Sequence, residues 1–213
     1  YDFTMPEHVH HEISFSLFDA SLDEANTDEA GICNFCDSFV DIRFEFACFA
    51  CFREGKATTA SVATEHGLVR HEDALLGRTH GVPASGPEDF PGLTVFPLPV
   101  DPDFPEERWF SVEYAVADLL ELLRTPTYST WQGERWRFCC KRPATYSGFL
   151  SRDRLEVLSR SQESASETLQ WILRCEDSGE AEVLLSRIDS GRVAAYLFNC
   201  STCDLWQGNW ESV

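Results

Sequence analysis

The stretch GICNFCDSFVDIRFEFACFACF, residues 31–52, decides how this chain is read, because it sets two Cys-x-x-Cys pairs, Cys33/Cys36 and Cys48/Cys51, eleven residues apart. A disulfide framework belongs to small secreted domains, and nine cysteines, an odd number, in 213 residues fit it poorly. A thioredoxin-like redox motif uses one pair at a strand-to-helix junction, not two in tandem. One zinc site with four cysteine ligands explains both pairs together. Each knuckle points two thiolates at one spot, and DSFVDIRFEFA, residues 37–47, alternates apolar and polar residues like a strand returning the chain to the second knuckle. Phe39, Ile42, Phe44 and Phe46 are the expected apolar backing. Four protein thiolates leave no open position for water or substrate, so such a site is expected to be structural rather than catalytic. Buried free thiols are the alternative reading.

The other cysteines are less orderly. Cys200 and Cys203 form a third pair in FNCSTCDLW, after the strand-like RVAAYLFN, while Cys139 and Cys140 are adjacent at the end of ERWRFCC. If those segments meet, Cys139, Cys140, Cys200 and Cys203 could make a second zinc site. Adjacent cysteines on an extended strand point to opposite faces, which argues against it, and free half-buried thiols are the alternative. Cys175, at the end of an expected helix, reads as core. His8, His10 and His11 in EHVHHE read as a solvated loop, with metal ligation as the lesser reading.

Working outward, the expected class is α+β: an N-terminal zinc-knuckle unit followed by antiparallel strands with helices. Residues 1–30 are polar and acidic and read as a loosely ordered edge segment. Residues 31–55 are the four-cysteine zinc-binding unit. Residues 56–110 hold Gly77, Gly81, Gly86, Gly92 and seven prolines from Pro83 to Pro105, which predicts long loops with short extended pieces such as LTVFPLPV. DALLGRTHG there predicts one or two helical turns. Residues 111–213 form an α+β domain carrying the candidate second zinc site. In it SVEYAVADLLELLRTP predicts a helix from Ser111 to Arg124, opened by Ser111 and Glu113. ERWRFCC and TYSGFL predict a strand pair across a turn at Pro143. SRDRLEVLSRS and SASETLQWILRC predict helices, and EAEVLLSRI and RVAAYLFNC predict closing strands joined at DSGR. WQGERW, residues 131–136, and WQGNW, residues 206–210, echo each other on either side of the later cysteines, either as two tryptophan turns beside a second zinc, if that site exists, or as chance recurrence with ordinary aromatic packing.

With 43% apolar and 13% aromatic residues the chain can bury a sizeable core. No apolar run approaches the roughly 18 residues of a membrane span, and no basic-plus-apolar leader is visible, so a cytoplasmic protein without membrane contact is expected. Net charge is −19, and 15 of the 17 basic residues are Arg, the exceptions being Lys56 and Lys141. Phosphate backbones would be repelled, and no basic stripe is present, so nucleic acid is not an expected partner. The charge reflects solubility, a habitat or genome bias toward Arg and acidic residues, or the steering of a basic protein partner.

The segments LLELLRTPTYSTWQGERWRFCCKRPATYSG, CFACFREGKA and YLFNCSTCDLWQGNW together resemble the CbrC family, bacterial proteins named after a colicin-tolerance protein. The resemblance runs from about residue 33 to the end. It rests on RTP, a following WQxxxW, a cysteine matching Cys140, and a closing Cys-x-x-Cys with an aromatic-Gly-aromatic tail. Where this family commonly has a His before the matched cysteine, this chain has Cys139. The resemblance implies a link to surviving a nuclease colicin and brings no established activity that could be carried over to this chain.

Catalytic signatures are missing: no G-x-S-x-G, P-loop or G-x-G-x-x-G occurs, HHEIS is not H-E-x-x-H, and no Pro-Cys-x-x-Cys deaminase pair is present. His66, His71, Glu72 and His80 offer acid–base groups with no nucleophile placed beside them. The leading expectation is a zinc-stabilised acidic protein that binds and neutralises a basic bacterial toxin, and no enzyme. The alternatives are a zinc-stabilised adaptor in stress response or regulation, and a metal-dependent hydrolase using the C-terminal cysteines.

Overall fold

The computed structural model describes residues 13–100, 102–159 and 164–212, so His8, His10 and His11 lie outside the described residues. The class is α+β, and every strand pair among the described residues is antiparallel. The first part runs through strands β1 (Gly31–Ile32) and β2 (Phe39–Val40), helix α1 (Phe49–Arg53), strands β3 (Ser61–Thr64) and β4 (Gly67–Arg70), and helix α2 (His71–Leu75). Then come β5 (Val82–Pro83), β6 (Val95–Pro97), β7 (Trp109–Val112) and helix α3 (Val116–Leu123). The last part holds β8 (Phe138–Cys139), β9 (Arg142–Pro143), β10 (Thr145–Phe149), helices α4 (Arg152–Leu158), α5 (Ala165–Leu173) and α6 (Ser178–Asp189), and strands β11 (Val193–Asn199) and β12 (Trp206–Ser212).

Strand β11 organises the core. It is central in the sheet β10-β11-β12, and its run VAAYLF is buried on both faces, which is why it shows no polar alternation. Val193, Ala195 and Leu197 face a cluster built by Leu155 of α4, Leu169 and Ile172 of α5, and Leu184 and Leu185 of α6. Ala194, Tyr196 and Phe198 face the other way, into an aromatic core with Tyr128, Trp136 and Tyr146, where the Tyr128 and Tyr146 rings stack at 4.4 Å. That core also takes in Cys33, Phe44, Cys48, Cys51 and Phe52, so the cysteine-rich N-terminal unit packs on the same apolar mass as the last strands. Burying each large side chain there contributes about 1.5–3 kcal/mol. At Gly208 a Cβ would come within 2.6 Å of the Tyr196 carbonyl oxygen and 2.7 Å of Leu173, so glycine lets β12 lie close on α5.

Several expectations are corrected. Residues 13–30 are not a loose edge: Phe15 and Phe18 are buried, and the chain is tied to β10 by Asp19 N–H donating to the Tyr146 carbonyl and Tyr146 N–H to that of Leu17. Ser111 does not open a helix. It lies buried in β7, paired with Phe96, and α3 begins only after Ala115, because pairing of Trp109–Val112 with β5 and β6 overrides the local capping pattern. EAEVLLSRI is helical, not a strand. Ala181, Leu184 and Leu185 are buried at helical spacing, and Asp177 caps the helix by accepting from Glu180 N–H. The DSGR turn therefore joins a helix to β11. ERWRFCC does not pair with TYSGFL: β8 turns back onto β9, and β10 pairs with β11. The stretch 37–47 is not one strand either, since after β2 it is broken by a tight turn at Glu45-Phe46, where Phe44 and Ala47 exchange both backbone hydrogen bonds. WQGNW is part of β12 rather than a turn.

Candidate metal centres

The eight cysteines singled out in the sequence gather into two groups of four, and within each the sulfur atoms lie within 4.8 Å of one another. Cys33, Cys36, Cys48 and Cys51 form the first. Cys139, Cys140, Cys200 and Cys203 form the second. Each group could hold a metal ion. Cys36 and Cys48 sulfurs are 3.7 Å apart, those of Cys139 and Cys203 3.5 Å, and those of Cys139 and Cys140 3.9 Å. Four thiolates at about 2.3 Å from a tetrahedral ion have sulfurs about 3.8 Å apart. A disulfide would need about 2.05 Å, and all nine cysteines are free thiols.

Two knuckles are built alike. In Cys33-Asn-Phe-Cys36-Asp37-Ser38 the Asp37 N–H donates to the Cys33 carbonyl and Cys33 N–H to that of Ser38; in Cys200-Ser-Thr-Cys203-Asp204-Leu205 the Asp204 N–H donates to the Cys200 carbonyl and Cys200 N–H to that of Leu205. Both aspartates sit in the left-handed region, with φ of 57° and 55°. The aspartate after each pair lets the loop close so that both sulfurs face inward. This repeated Cys-x-x-Cys-Asp is the sequence signal that the spacing argument alone leaves unused.

The partners of the two knuckles differ. In the first group Cys48 is the residue before α1 and Cys51 lies in its first turn, so a short helix aims both sulfurs back at the knuckle. In the second, the partner is the β8–β9 hairpin. Cys140 and Lys141 form its two-residue corner with φ of 49° and 62°, both left-handed. That corner answers the objection to adjacent cysteines, because Cys140 is not on an extended strand and its sulfur swings round beside that of Cys139.

Burial separates the groups. Cys33, Cys48 and Cys51 are buried and Cys36 is exposed, whereas in the second group only Cys200 is buried, with Cys140 and Cys203 exposed. Burial tends to raise the Cys33 thiol, yet N–H groups of Cys48, Phe35 and Cys36 outweigh it and hold it at about 6. Burial, then hydrogen bonds from the other thiols, pushes Cys51 up to about 12. The second group repeats the contrast: Cys200, despite burial, is lowered to about 7 by the Thr202 and Cys203 N–H groups, while burial raises Cys139. A tetrad cannot carry four negative charges unaided, so loading a cation must expel protons.

The tryptophan echo splits. Trp136 is fully buried, with its indole N–H donating to the Ala144 carbonyl, while Trp131 is exposed on a loop whose Trp131 and Gln132 N–H groups both donate to the buried Glu211 carboxylate. Trp206 lines a cleft of ≈ 660 Å³ with Trp171, Leu158, Arg174 and Cys203, beside the second group. Of the acid–base candidates, His66 is packed against Phe90, Tyr114 and Phe138 and meets the Tyr114 hydroxyl at 2.5 Å. His71 and His80 are exposed. No helix among the described residues is long and apolar enough to cross a membrane.

A family model described as an uncharacterised protein family, UPF0167, matches residues 24–209, which takes in both cysteine groups. The chain belongs to the UPF0167 family. No curated protein and no solved structure matches it. In this UPF0167 chain the matched span begins at Glu24, whose carboxylate accepts from the Tyr146 hydroxyl and the Phe149 N–H, so it starts where the N-terminal segment is fastened to β10.

Proposed function

We propose that this UPF0167 protein is a zinc-stabilised acidic protein that binds a basic protein partner, in its most specific form a bacterial toxin of the nuclease-colicin kind, and that it is not an enzyme. The observation that carries the reading is the closure of both sites by four cysteines. All-thiolate tetrads suit zinc, and a zinc ion with four protein ligands supplies folding energy and no reactive position. What remains for function is the surface, and a net charge of −19 favours encounter with a basic protein and opposes nucleic acid. The CbrC likeness supports a toxin as that partner. Nine reduced cysteines suit the cytoplasm.

The test has two parts. Purified protein should contain two zinc ions per chain, and it should bind the cytotoxic domain of a basic nuclease toxin with an affinity that falls as salt is raised from about 50 to 500 mM. Zinc-loaded protein that binds no basic toxin domain at low salt would remove the toxin reading and leave a zinc-stabilised adaptor. One observation favours a hydrolase: the second tetrad is exposed at Cys140 and Cys203 and borders the cleft lined by Trp171 and Arg174. Zinc-dependent turnover of an ester or amide panel, abolished in Cys140→Ser, would establish that reading instead.

A further inference from the structure

An apolar patch lies open around the first cysteine group. Ile32 and Phe39 are cross-strand partners in the β1–β2 hairpin, and they are 58% and 61% exposed. Phe46, 52% exposed, sits at the corner of the turn before Cys48, and Phe35 is exposed within the first knuckle. Arg43 joins these residues: its guanidinium donates to the Ile32 and Glu29 carbonyls and lies over the Phe46 ring at 5.5 Å. Phe46 N–H donates to the Asp28 carboxylate, and Asn34 N–H to the Phe46 carbonyl, which fixes the ring's position beside the knuckle.

Core burial does not explain these side chains. Within the same turn Phe44 is fully buried, whereas Glu45 and Phe46 adopt left-handed φ of 49° and 60°, which glycine or asparagine would take with less strain. The turn holds a phenylalanine out to water in an unfavourable backbone conformation. Residues 28–46 carry Asp28, Glu29, Asp37, Asp41 and Glu45 against Arg43 as their one cation, and that cation is already engaged by two carbonyls. Single exposed apolar side chains are ordinary, but four of them within the fifteen residues Ile32–Phe46 make a candidate interaction surface.

Resting on the reading of a basic partner, we infer that this finger is the docking surface: it takes a protein segment whose apolar side chains alternate with Lys and Arg. The rings of Phe39 and Phe46 receive the apolar side chains, and the acidic rim receives the cations. Charge complementarity selects this occupant over the others. A second copy would bring acidic rim against acidic rim. Residues 1–12 carry Asp2, Glu7 and Glu12 and no Lys or Arg, so they too are like-charged.

The probe is a fluorescein-labelled peptide of about 12 residues alternating Lys or Arg with Phe or Leu, titrated into the zinc-loaded full chain. Control peptides replace Phe and Leu by Ser, or Lys and Arg by Glu. Binding of the first peptide alone is expected, weakened about tenfold or more in Phe39→Ser and Phe46→Ser and unchanged in Leu76→Ser, an exposed leucine elsewhere. Amide exchange of the unaltered protein is the second readout, and the peptide should protect residues 31–46. Equal binding by both Phe variants, or protection elsewhere, overturns the surface. Dimerisation abolished by Phe46→Ser overturns it in favour of an occupant supplied by this chain. The toxin domain is titrated beside the peptide: if it binds and the peptide does not, the surface is wrong and the partner reading stands, whereas failure of both removes both.

Discussion

At the scale of residues, the cysteines are unequal despite their shared chemistry. Cys33 and Cys48 are buried in the aromatic core, so replacing either by Ser removes a ligand and leaves a polar atom among Phe44 and Phe52. Cys33→Ser and Cys48→Ser are each expected to lose one metal ion and melt at least the N-terminal unit, measured by elemental analysis and thermal denaturation. An unchanged melting curve in both would defeat the claim. Cys140→Ser, on an exposed hairpin corner, should lose the second ion with a much smaller fall in melting temperature. His66 gives a pH signature. Burial chiefly, with help from Arg137 and Arg135 against Glu65, holds its imidazole below the ordinary 6.5. Below pH 6.5 the unfolded chain takes up a proton that the folded chain resists, so this contribution is fully present above 6.5 and lost as pH falls beneath it. His66→Gln should therefore flatten the acid side of the stability profile relative to the parent, measured by urea midpoints at matched metal content.

At the scale of elements, α6 is the instructive case. EAEVLLSRI has the apolar content of a strand, and β-branched Val183 and Ile188 favour that reading, yet Val183 is exposed while Ala181, Leu184 and Leu185 are buried. A period near 3.6 is present in the sequence, and so is the cap, Asp177 with Glu180 three residues on. Asp177→Ala should cost about 1 kcal/mol and lower the melting temperature by about 2–4 °C, whereas a strand beginning there would be indifferent to it. The reverse happens at β7. Ser111 and Glu113 look like a helix start because nothing local reveals that Val82–Pro83 and Val95–Pro97 flank Trp109–Val112 on both sides. Strand identity depends on neighbours supplied from elsewhere in the chain, whereas a helix closes its own hydrogen bonds.

For the whole molecule, the first cysteine group and the last strands share one core, so loss of a metal held there should be felt far from the cysteines. Chelation of the zinc-loaded protein is expected to make eight thiols newly reactive and to expose the Tyr128–Tyr146 stack to solvent. Thiol titration and near-ultraviolet circular dichroism before and after chelation check this. Loss confined to thiol reactivity, with the aromatic signal intact, would mean that the core stands without the metal.

The sequence by itself determined the knuckles that could hold a metal: Cys-x-x-Cys spacing is local, and each knuckle is closed by backbone hydrogen bonds between near neighbours in the chain. It determined the class, since β11 and the capped helices α4 and α5 carry their signals in their own residues. Tertiary structure alone decided the second cysteine group, because Cys139 and Cys203 are 64 residues apart and only the fold brings their two hairpins together. It alone decided that Cys140 turns inward, since two left-handed residues at Cys140-Lys141 contradict every local preference and persist where surrounding contacts enforce them. The open phenylalanines follow the same logic: Phe44 and Phe46 are equal in sequence, and the turn between them sends one into the core and the other to the surface.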